Sequence, residues 1–351
     1  MKIETLLPLG KLDPGLRAAA ALDVTAVAEE ARLAEALGYE GIVAEETKDD
    51  PFIILALAAQ ATSRVGLATT VAIAFPRSPT VSAMTAWTLQ KVSRGRFTLG
   101  LGSQVKGHIE RRFGVKWSAP GPWLREYVGA VRAVWDCWQH GTKLDFQGEH
   151  YRLNLMVPLF APGPIEHYPI PIHLAAVNAY MCQVAGEVAD GIRAHPVATP
   201  RYIEEVMLPA ARQGAAKAGR DVAGFALCVK PLVATAVDEA GLADRIRDVR
   251  ARIAFYASTP AYLAAFETQG YGEVAQQLQS YSRAQRWEEM PALISDEMLE
   301  TYATAGTYDE IAGKLRARYA GVATHLEFAI PVAGEPDRHR LRGLLDQLRA
   351  A

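Results

Sequence analysis

A polar, glycine-rich loop follows the apolar run 97–101 and contains side chains that can do chemistry. The run does not alternate apolar and polar residues, which is typical of a strand buried on both faces. Ser103 and Gln104 can donate and accept hydrogen bonds, and the imidazole of His108 can exchange a proton near neutral pH. The carboxyl end of a strand is where α/β barrels do chemistry, so we expect the active site here. For His108, a surface histidine on a flexible loop is the alternative.

A second candidate binding feature is the start of a helix directly after the apolar run 172–176. Backbone N–H groups at a helix start, together with the helix dipole, can bind an anion. Asn178 also fits the role of a simple N-cap, and the two roles are compatible. The sequence therefore predicts a candidate anion site at the end of this strand.

The elements that must position these loops alternate between strands and helices along the chain. The first four strands and their helices follow a β-α-β-α order, which requires a parallel sheet with right-handed crossovers. This pattern predicts an α/β fold, one (β/α)8 TIM barrel in a single domain 1–351, with insertions at about 103–171 and 259–300. The predicted strands are 2–9, 41–44, 65–73, 97–101, 172–176, 191–194, 225–236 and 325–330.

Composition restricts the class of protein. The chain has 351 residues, half of them hydrophobic, and a formal net charge of −2. This near-neutral balance argues against nucleic acid as an obligate partner. No apolar run approaches the roughly 20 residues needed to cross a bilayer, and the first residues lack the apolar core of a signal peptide. We therefore expect a cytoplasmic protein without a membrane partner. The three dispersed cysteines (Cys137, Cys182 and Cys228) are expected to be small buried residues, and no metal site is expected.

Common catalytic motifs are absent from the sequence. There is no Walker loop, no HExxH and no GxSxG, so the chain lacks the hallmarks of a nucleoside-triphosphate enzyme, a zincin and an α/β-hydrolase. Gly100 and Gly102 suggest a dinucleotide fingerprint, but Gly107 follows five positions after the second glycine instead of three. A Rossmann fold is therefore not favoured.

Four segments carry a family resemblance. The run LQKVSRGRFTLGLG (89–102) resembles the luciferase-like family of flavin and deazaflavin oxidoreductases, and so do GYEGI (38–42), AGEVADG (185–191) and AGTYDEI (305–311). They occur in the same order as in the family. The resemblance implies a (β/α)8 barrel with extra segments, usually a homodimer, that binds FMN or coenzyme F420. The loop 45–52 and the run SRGRFTLGLGSQV look most like the F420-dependent branch.

The resemblance also implies residue roles near the cofactor ring. The family's third strand carries a bulge, often with a non-prolyl cis peptide, which here would be the Thr70–Val71 bond; an ordinary trans strand is the alternative. After strand two the family has an acid followed by a histidine, matched here by Glu46 and Thr47. Glu46 can hold the ring edge, whereas Thr47 cannot act as an acid near neutral pH. A solvated charged loop is the alternative.

Further roles are implied after strands four, five and six. The family's sugar-phosphate dehydrogenases have a glutamate near Val105 that is absent here, which disfavours that activity. We predict Glu46, Gln104 and His108 as catalytic groups, and Thr47 and His195 on the substrate side. The cofactor-binding residues implied by the resemblance, with the phosphate on the last four, are Glu46, Thr70, Val71, Gly102, Ser103, Gln104, His108, Ala176, Val177, Asn178, Tyr180 and Met181.

The function implied by the resemblance is hydride transfer between the C5 of F420 and a small organic substrate such as an alcohol, enone or imine. An FMN-dependent monooxygenase and a non-catalytic cofactor-binding protein are the alternatives. His173 is expected to be a buried core histidine, while Lys230 is either a rim residue or a substrate contact. The aromatic cluster in the second insertion is either a pocket wall or the core of the extra helices; it comprises Phe255, Tyr256, Tyr262, Phe266, Tyr271, Tyr281 and Trp287.

Overall fold

The computed structural model describes residues 1–11 and 21–350. In chain order its strands are β1 (Lys2–Leu6), β2 (Gly41–Ala44), β3 (Gly66–Thr69), β4 (Ala72–Ile73), β5 (Phe97–Gly102), β6 (Phe146–Gln147), β7 (Arg152–Leu153), β8 (Ile172–Ala176), β9 (Gly191–Ala194), β10 (Ala226–Val229), β11 (Leu232–Ala236), β12 (Ala303–Thr307) and β13 (His325–Glu327).

The helices cover the strands and fill the two insertions. They are α1 (Val27–Leu37), α2 (Pro51–Ala61), α3 (Pro79–Ser93), α4 (Lys106–Arg111), α5 (Pro120–His140), α6 (Ala179–Val188), α7 (Pro200–Tyr202), α8 (Leu208–Lys217), α9 (Glu239–Ala257), α10 (Leu263–Glu267), α11 (Gly272–Arg283), α12 (Asp296–Tyr302), α13 (Ile311–Tyr319) and α14 (Glu335–Arg349), with a π-helical segment at Ile203–Met207 and short 3-10 turns at Val24–Ala26, Pro158–Phe160, Pro260–Tyr262 and Trp287–Leu293.

A closed parallel barrel forms the centre of the fold. The strand order is β3-β2-β1-β13-β10-β9-β8-β5-β4, and β3 also pairs with β5, which closes the ring. Because β3 and β4 are two parts of one strand position, the ring has eight positions. The predicted (β/α)8 barrel is therefore confirmed. Among the described residues, no helix has the length and apolar character needed to span a bilayer.

Local signals in the sequence account for many helix ends. Asp50 and Ser78 cap α2 and α3 with their side chains, and a proline follows each cap at the first helical position. Gly38 ends α1 with φ of 101°, a left-handed conformation that costs glycine little. Such signals are local, because capping depends on neighbouring residues alone.

The predicted seventh strand, 225–236, is wrong as a single element. Only β10 joins the barrel; the chain then turns at Lys230 and Pro231, and β11 pairs with β12 in a separate two-stranded parallel sheet. Proline has no N–H for a strand ladder, which favours the break at this point. The segment 303–307 was not predicted as a strand, because its pairing partner lies far away in sequence. In the first insertion, β6 and β7 form a short antiparallel hairpin.

Candidate active site

A cavity of about 800 Å³ opens at the carboxyl ends of the barrel strands. This volume lies within the range of about 300–1,000 Å³ that is usual for ligand pockets. All of the predicted site residues except His108 and Tyr180 line it: Glu46, Thr47, Thr70, Val71, Gly102, Ser103, Gln104, Ala176, Val177, Asn178, Met181 and His195. His108 lies on the short helix α4 and Tyr180 is about half exposed beside Gly121. The predicted roles of these two residues gain no support from the cavity.

The third strand position is interrupted beside the cavity. The Thr70–Val71 peptide bond is cis, as predicted, and it separates β3 from β4. A Cβ atom on Gly102 of the neighbouring β5 would lie 2.6 Å from Val71 Cγ2. Glycine at position 102 therefore leaves room for the interrupted strand to protrude into the cavity.

The carboxylate of Glu46 is engaged by the protein itself. Its Oε2 accepts a hydrogen bond of 2.7 Å from the backbone N–H of Ile73, in β4. Arg77 Nη1 donates to both carboxylate oxygens at 2.7 Å, and Arg77 Nη2 lies 3.0 Å from Asp50 Oδ2. Glu46 thus ties the interrupted strand to the loop after β2. This geometry favours a positioning role for Glu46 over that of a free catalytic acid.

The loop after β5 and the start of α6 supply polar groups at the cavity wall. Gln104 has φ of 55°, in the left-handed region, and its Oε1 accepts a hydrogen bond of 2.9 Å from the N–H of Val105. Asn178 caps α6, with Oδ1 accepting from the N–H of Met181 at 2.9 Å. The Tyr202 hydroxyl donates to the carbonyl of Val177 at 2.9 Å and holds the turn before the helix. A helix start therefore borders the cavity, where an anion is favoured.

A charged cluster on the opposite side of the ring was not predicted. Lys230, just after β10, contacts the carboxylate of Glu45 and lies 3.0 Å from Glu327 Oε1. Lys11 Nζ lies 3.7 Å from the other oxygen of Glu45. All four residues line the cavity, so Lys230 is more than a rim residue. Of the cluster's members, only Glu45 directly follows a predicted strand, whereas Lys230 and Glu327 lie inside the predicted strands 225–236 and 325–330.

The barrel interior below the cavity contains a buried ion pair. Arg193 on β9 donates to Glu4 on β1 at 2.8 and 3.2 Å, and both side chains are more than nine-tenths buried. Burial acts to raise the pKa of Glu4, but the adjacent guanidinium outweighs it and lowers that pKa below its usual range. Arg193 also borders the cavity. This pair was not predicted, because Glu4 and Arg193 lie inside predicted strands that are 189 positions apart in the sequence.

His195 lies against an aromatic wall. Its ring centroid is 4.1 Å from that of Tyr262 and 4.6 Å from that of Tyr256. The N–H of Val197 donates to His195 Nδ1 at 3.4 Å, which leaves the proton of the neutral ring on Nε2. Burial, and then the charge of Lys230, lower the pKa of His195 to about 3. His195 is therefore a neutral hydrogen-bond donor near neutral pH.

We expect the His195 ring to show no titration between about pH 5 and 8, where an unperturbed histidine changes charge. The measurement is the pH dependence of its ring C–H chemical shifts, assigned by their loss in His195→Asn. A histidine-containing peptide in the same buffers serves as the reference. A midpoint near 6.5 for His195 would contradict its assignment as a buried neutral donor.

The other residues considered in the sequence lie either in the hydrophobic core or at the cavity. His173 is a buried histidine, as predicted, and its Nδ1 lies 3.7 Å from the sulfur of Cys228. The three cysteines are buried and unpaired, as predicted. Of the aromatic cluster, Tyr256 and Tyr262 line the cavity, whereas Phe266 is fully buried among the extra helices. In the described part of the chain, no three His, Cys, Asp or Glu side chains come together as metal ligands.

Comparison with known proteins agrees with this architecture. The family model described as luciferase-like monooxygenase matches residues 4–325. The uncharacterized protein Rv1360 of Mycobacterium tuberculosis is 46% identical over 286 residues, covering 81% of this chain and 84% of that protein. The putative coenzyme F420-dependent oxidoreductase Rv3520c of the same organism is 28% identical over 335 residues, covering 89% and 92%.

A solved structure shows the same fold at lower sequence identity. The coenzyme F420-dependent tetrahydromethanopterin reductase from Methanopyrus kandleri superposes with a TM-score of 0.73 at 20% identity, covering 99% of this chain and 97% of that one. The family match extends over most of the chain, and the structural similarity agrees with the closed barrel. The chain belongs to the luciferase-like monooxygenase family.

Proposed function

We propose that this protein is an F420-dependent oxidoreductase that transfers a hydride between the deazaflavin C5 and a small organic substrate such as an alcohol, enone or imine. The observation that carries the proposal is the convergence of nearly all predicted cofactor residues on one cavity beside the interrupted third strand. The similarity to Rv3520c and to the Methanopyrus reductase supports F420 as the cofactor.

The residues present fit a flat, acidic cofactor. Gly102 has no side chain where a Cβ would collide with Val71, which leaves a smooth wall for a planar ring. Ser103 and Gln104 would bond the polar ring edge, and the start of α6 at Asn178 would bind the phosphate. When bound, the deazaflavin supplies a carbon that accepts or donates a hydride as a nicotinamide does.

On the substrate side, the chain's own residues bind, orient and exclude water. Tyr256 and Tyr262 form an apolar wall against which a small organic molecule packs. His195 holds its Nε2 proton as a neutral donor and would hydrogen-bond to a substrate oxygen or nitrogen. Correct placement of the reacting carbon accounts for a large share of catalysis in such reactions.

An FMN-dependent monooxygenase is the second candidate. The description of the matching family supports it, because that family is named for monooxygenases. A protein that binds the cofactor without turnover is a third candidate. The three differ in which cofactor binds and in whether bound cofactor is oxidised or reduced by an added substrate.

The deciding experiment is a titration of purified protein with F420 and, separately, with FMN, followed by fluorescence. We expect tighter binding of F420, and at least a tenfold loss of affinity in Asn178→Ala, which removes the cap of the helix at the cavity. Asp238→Ala is the matched control, because Asp238 caps α9 but does not line the cavity. Preferential binding of FMN, with consumption of oxygen, would favour the monooxygenase.

A homodimer is also proposed, formed through α2 and α3. These neighbouring helices expose apolar side chains at helical spacing: Ile53, Leu57, Val81 and Met84 are 38–61% exposed. Large exposed apolar patches on soluble proteins commonly mark association surfaces. We therefore expect a charge in this patch to disfavour association.

In light scattering coupled to gel filtration, we expect Met84→Glu to shift a dimer of the wild type to a monomer. Val237→Glu is the matched control, because Val237 is equally accessible but lies in the turn before α9. A monomeric wild type at micromolar concentration, or a dimeric Met84→Glu variant, would contradict the proposal.

A further inference from the structure

The carboxylate of Glu327 lines the cavity at the carboxyl ends of the barrel strands. Glu327 is the last residue of β13, it lines the cavity, and its side chain is 14% exposed. It stands in register with Glu4 of the adjacent β1, so both carboxylates face the barrel interior. Glu327 thus reaches the cavity from the eighth strand position, which contains none of the predicted cofactor residues.

Glu45 and Glu327 share the nearby positive charge unequally. Lys230 contacts both Glu45 and Glu327, and Lys11 lies against the second oxygen of Glu45. Glu45 therefore faces two ammonium groups, whereas Glu327 shares one. The titratable and charged groups around Glu327 on the packed elements are Glu4 on β1, Tyr39 before β2, Glu45 after β2, Arg193 on β9, Lys230 after β10 and His325 on β13 itself.

The pKa shifts of Glu45 and Glu327 agree in direction with this unequal sharing of positive charge. Burial raises the pKa of Glu327, and the charge of Glu45 adds to the increase, while Lys230 opposes it; the net shift is upward. Burial also acts to raise the pKa of Glu45, but the charge and hydrogen bond of Lys230 outweigh it and lower that pKa. Of the two carboxylates that share Lys230, Glu327 is therefore the one with the higher pKa.

We propose that Glu327 is the acid of the active site, which holds a proton at neutral pH and donates it to the substrate, with Lys230 and Glu45 as positioning residues. The acid role rests on the proposed function. In the reduction of a C=O, C=N or C=C bond, the new C–H bond would form with a hydride supplied by the bound deazaflavin as the π bond breaks. The electron pair released on the neighbouring atom takes the proton from Glu327.

After this step, Glu327 is a carboxylate paired with Lys230, and a proton from water restores the acid. The substrate gains two electrons and two hydrogens. The C5 hydride and one ring N–H proton would come from the reduced deazaflavin, and that proton balances the one taken from water, so no net proton is consumed. In the oxidative direction the Glu327 carboxylate accepts the proton of an alcohol. Lys230 contacts both carboxylates. Its ammonium group can therefore stabilise the Glu327 carboxylate that forms when the proton is donated.

The first test needs no cofactor. Infrared spectroscopy of the purified protein at neutral pH is expected to show the C=O stretch of a protonated carboxyl group, which is lost in Glu327→Gln and retained in the exposed control Glu335→Gln. Glu45→Gln is expected to remove it too, because Glu327 then ionises to pair with Lys230. Carbon-13 labelling of glutamate in the wild type shows whether the protonated group is a glutamate, and the Glu327→Gln spectrum identifies the residue. Absence of a protonated glutamate in the wild type, or its survival in Glu327→Gln, would overturn the proposal.

The second test uses reduced F420 with acetone and with cyclohex-2-enone. For a probe that the wild type reduces, Glu327→Gln is expected to lower kcat about 100-fold, in the range usual for loss of a general acid, with the F420 affinity unchanged. A loss below tenfold would overturn the acid role. If F420 does not bind, the proposed function fails, whereas the infrared spectrum still shows whether Glu327 holds a proton.

Discussion

Replacing Arg193 by methionine is expected to lower the free energy of unfolding by about 3–5 kcal/mol, because it leaves the Glu4 carboxylate buried without its partner. Both side chains lie inside the barrel, and two hydrogen bonds join them at 2.8 and 3.2 Å. The measurement is chemical denaturation at neutral pH. The loss should be large compared with the roughly 0–1 kcal/mol that surface pairs contribute.

Arg201→Met is the matched control for this prediction. Arg201 pairs with Glu205 at 3.0 Å on the protein surface, and both side chains are more than half exposed. We expect it to change the free energy of unfolding by less than about 1 kcal/mol. The double variant Glu4→Leu/Arg193→Met should recover most of the loss, since it removes both charges. If Arg193→Met were as stable as Arg201→Met, this would contradict the assignment of Glu4 and Arg193 as a stabilising buried ion pair.

The same pair predicts a pH dependence. The pKa of Glu4 is lowered in the folded protein, so the ion pair contributes its stability above the ordinary carboxyl pKa of about 4.3. That contribution is lost as the pH falls through the lowered value. The difference in unfolding free energy between the wild type and Arg193→Met should therefore narrow in acid.

The second large effect is expected for Glu46→Gln, which should weaken F420 binding by about 10- to 100-fold. Glutamine retains an oxygen for the N–H of Ile73 but loses the charge-assisted bonds from Arg77, which are worth about 1.5–3 kcal/mol. The interrupted strand beside Gly102 would then be poorly held. The measurement is the F420 dissociation constant, followed by fluorescence.

Glu35→Gln is the matched control for the Glu46 variant. The carboxylate of Glu35 also accepts backbone N–H groups, those of Ser63, Arg64 and Val65, but it does so before β3 and outside the cavity. We expect a loss of stability in Glu35→Gln with unchanged F420 affinity. If Glu46→Gln instead bound F420 normally and altered only the pH profile of turnover, Glu46 would be an acid and not a positioning residue.

Local patterns predicted the elements that depend on neighbouring residues. Buried strands such as β2 and β5 are short, largely apolar runs, and the caps at Asp50 and Ser78 lie within three residues of the groups they bind. The family resemblance, and not periodicity, supplied the cis bond at Thr70–Val71. The break after β10 was missed because an apolar run does not show where its pairing partner changes.

The sequence by itself determined the barrel, the end of the barrel at which the cavity opens, and twelve of the residues that line it. These follow from hydrophobic patterning and caps, which are local, and from motifs of a known family. Only the tertiary structure decided which charges meet. Lys230 and Glu45 are 185 positions apart and Arg193 and Glu4 are 189 apart, and closure of the ring brings both pairs together. Because the charge state of a carboxylate depends on such neighbours, the acid of the site could be inferred only from the folded chain.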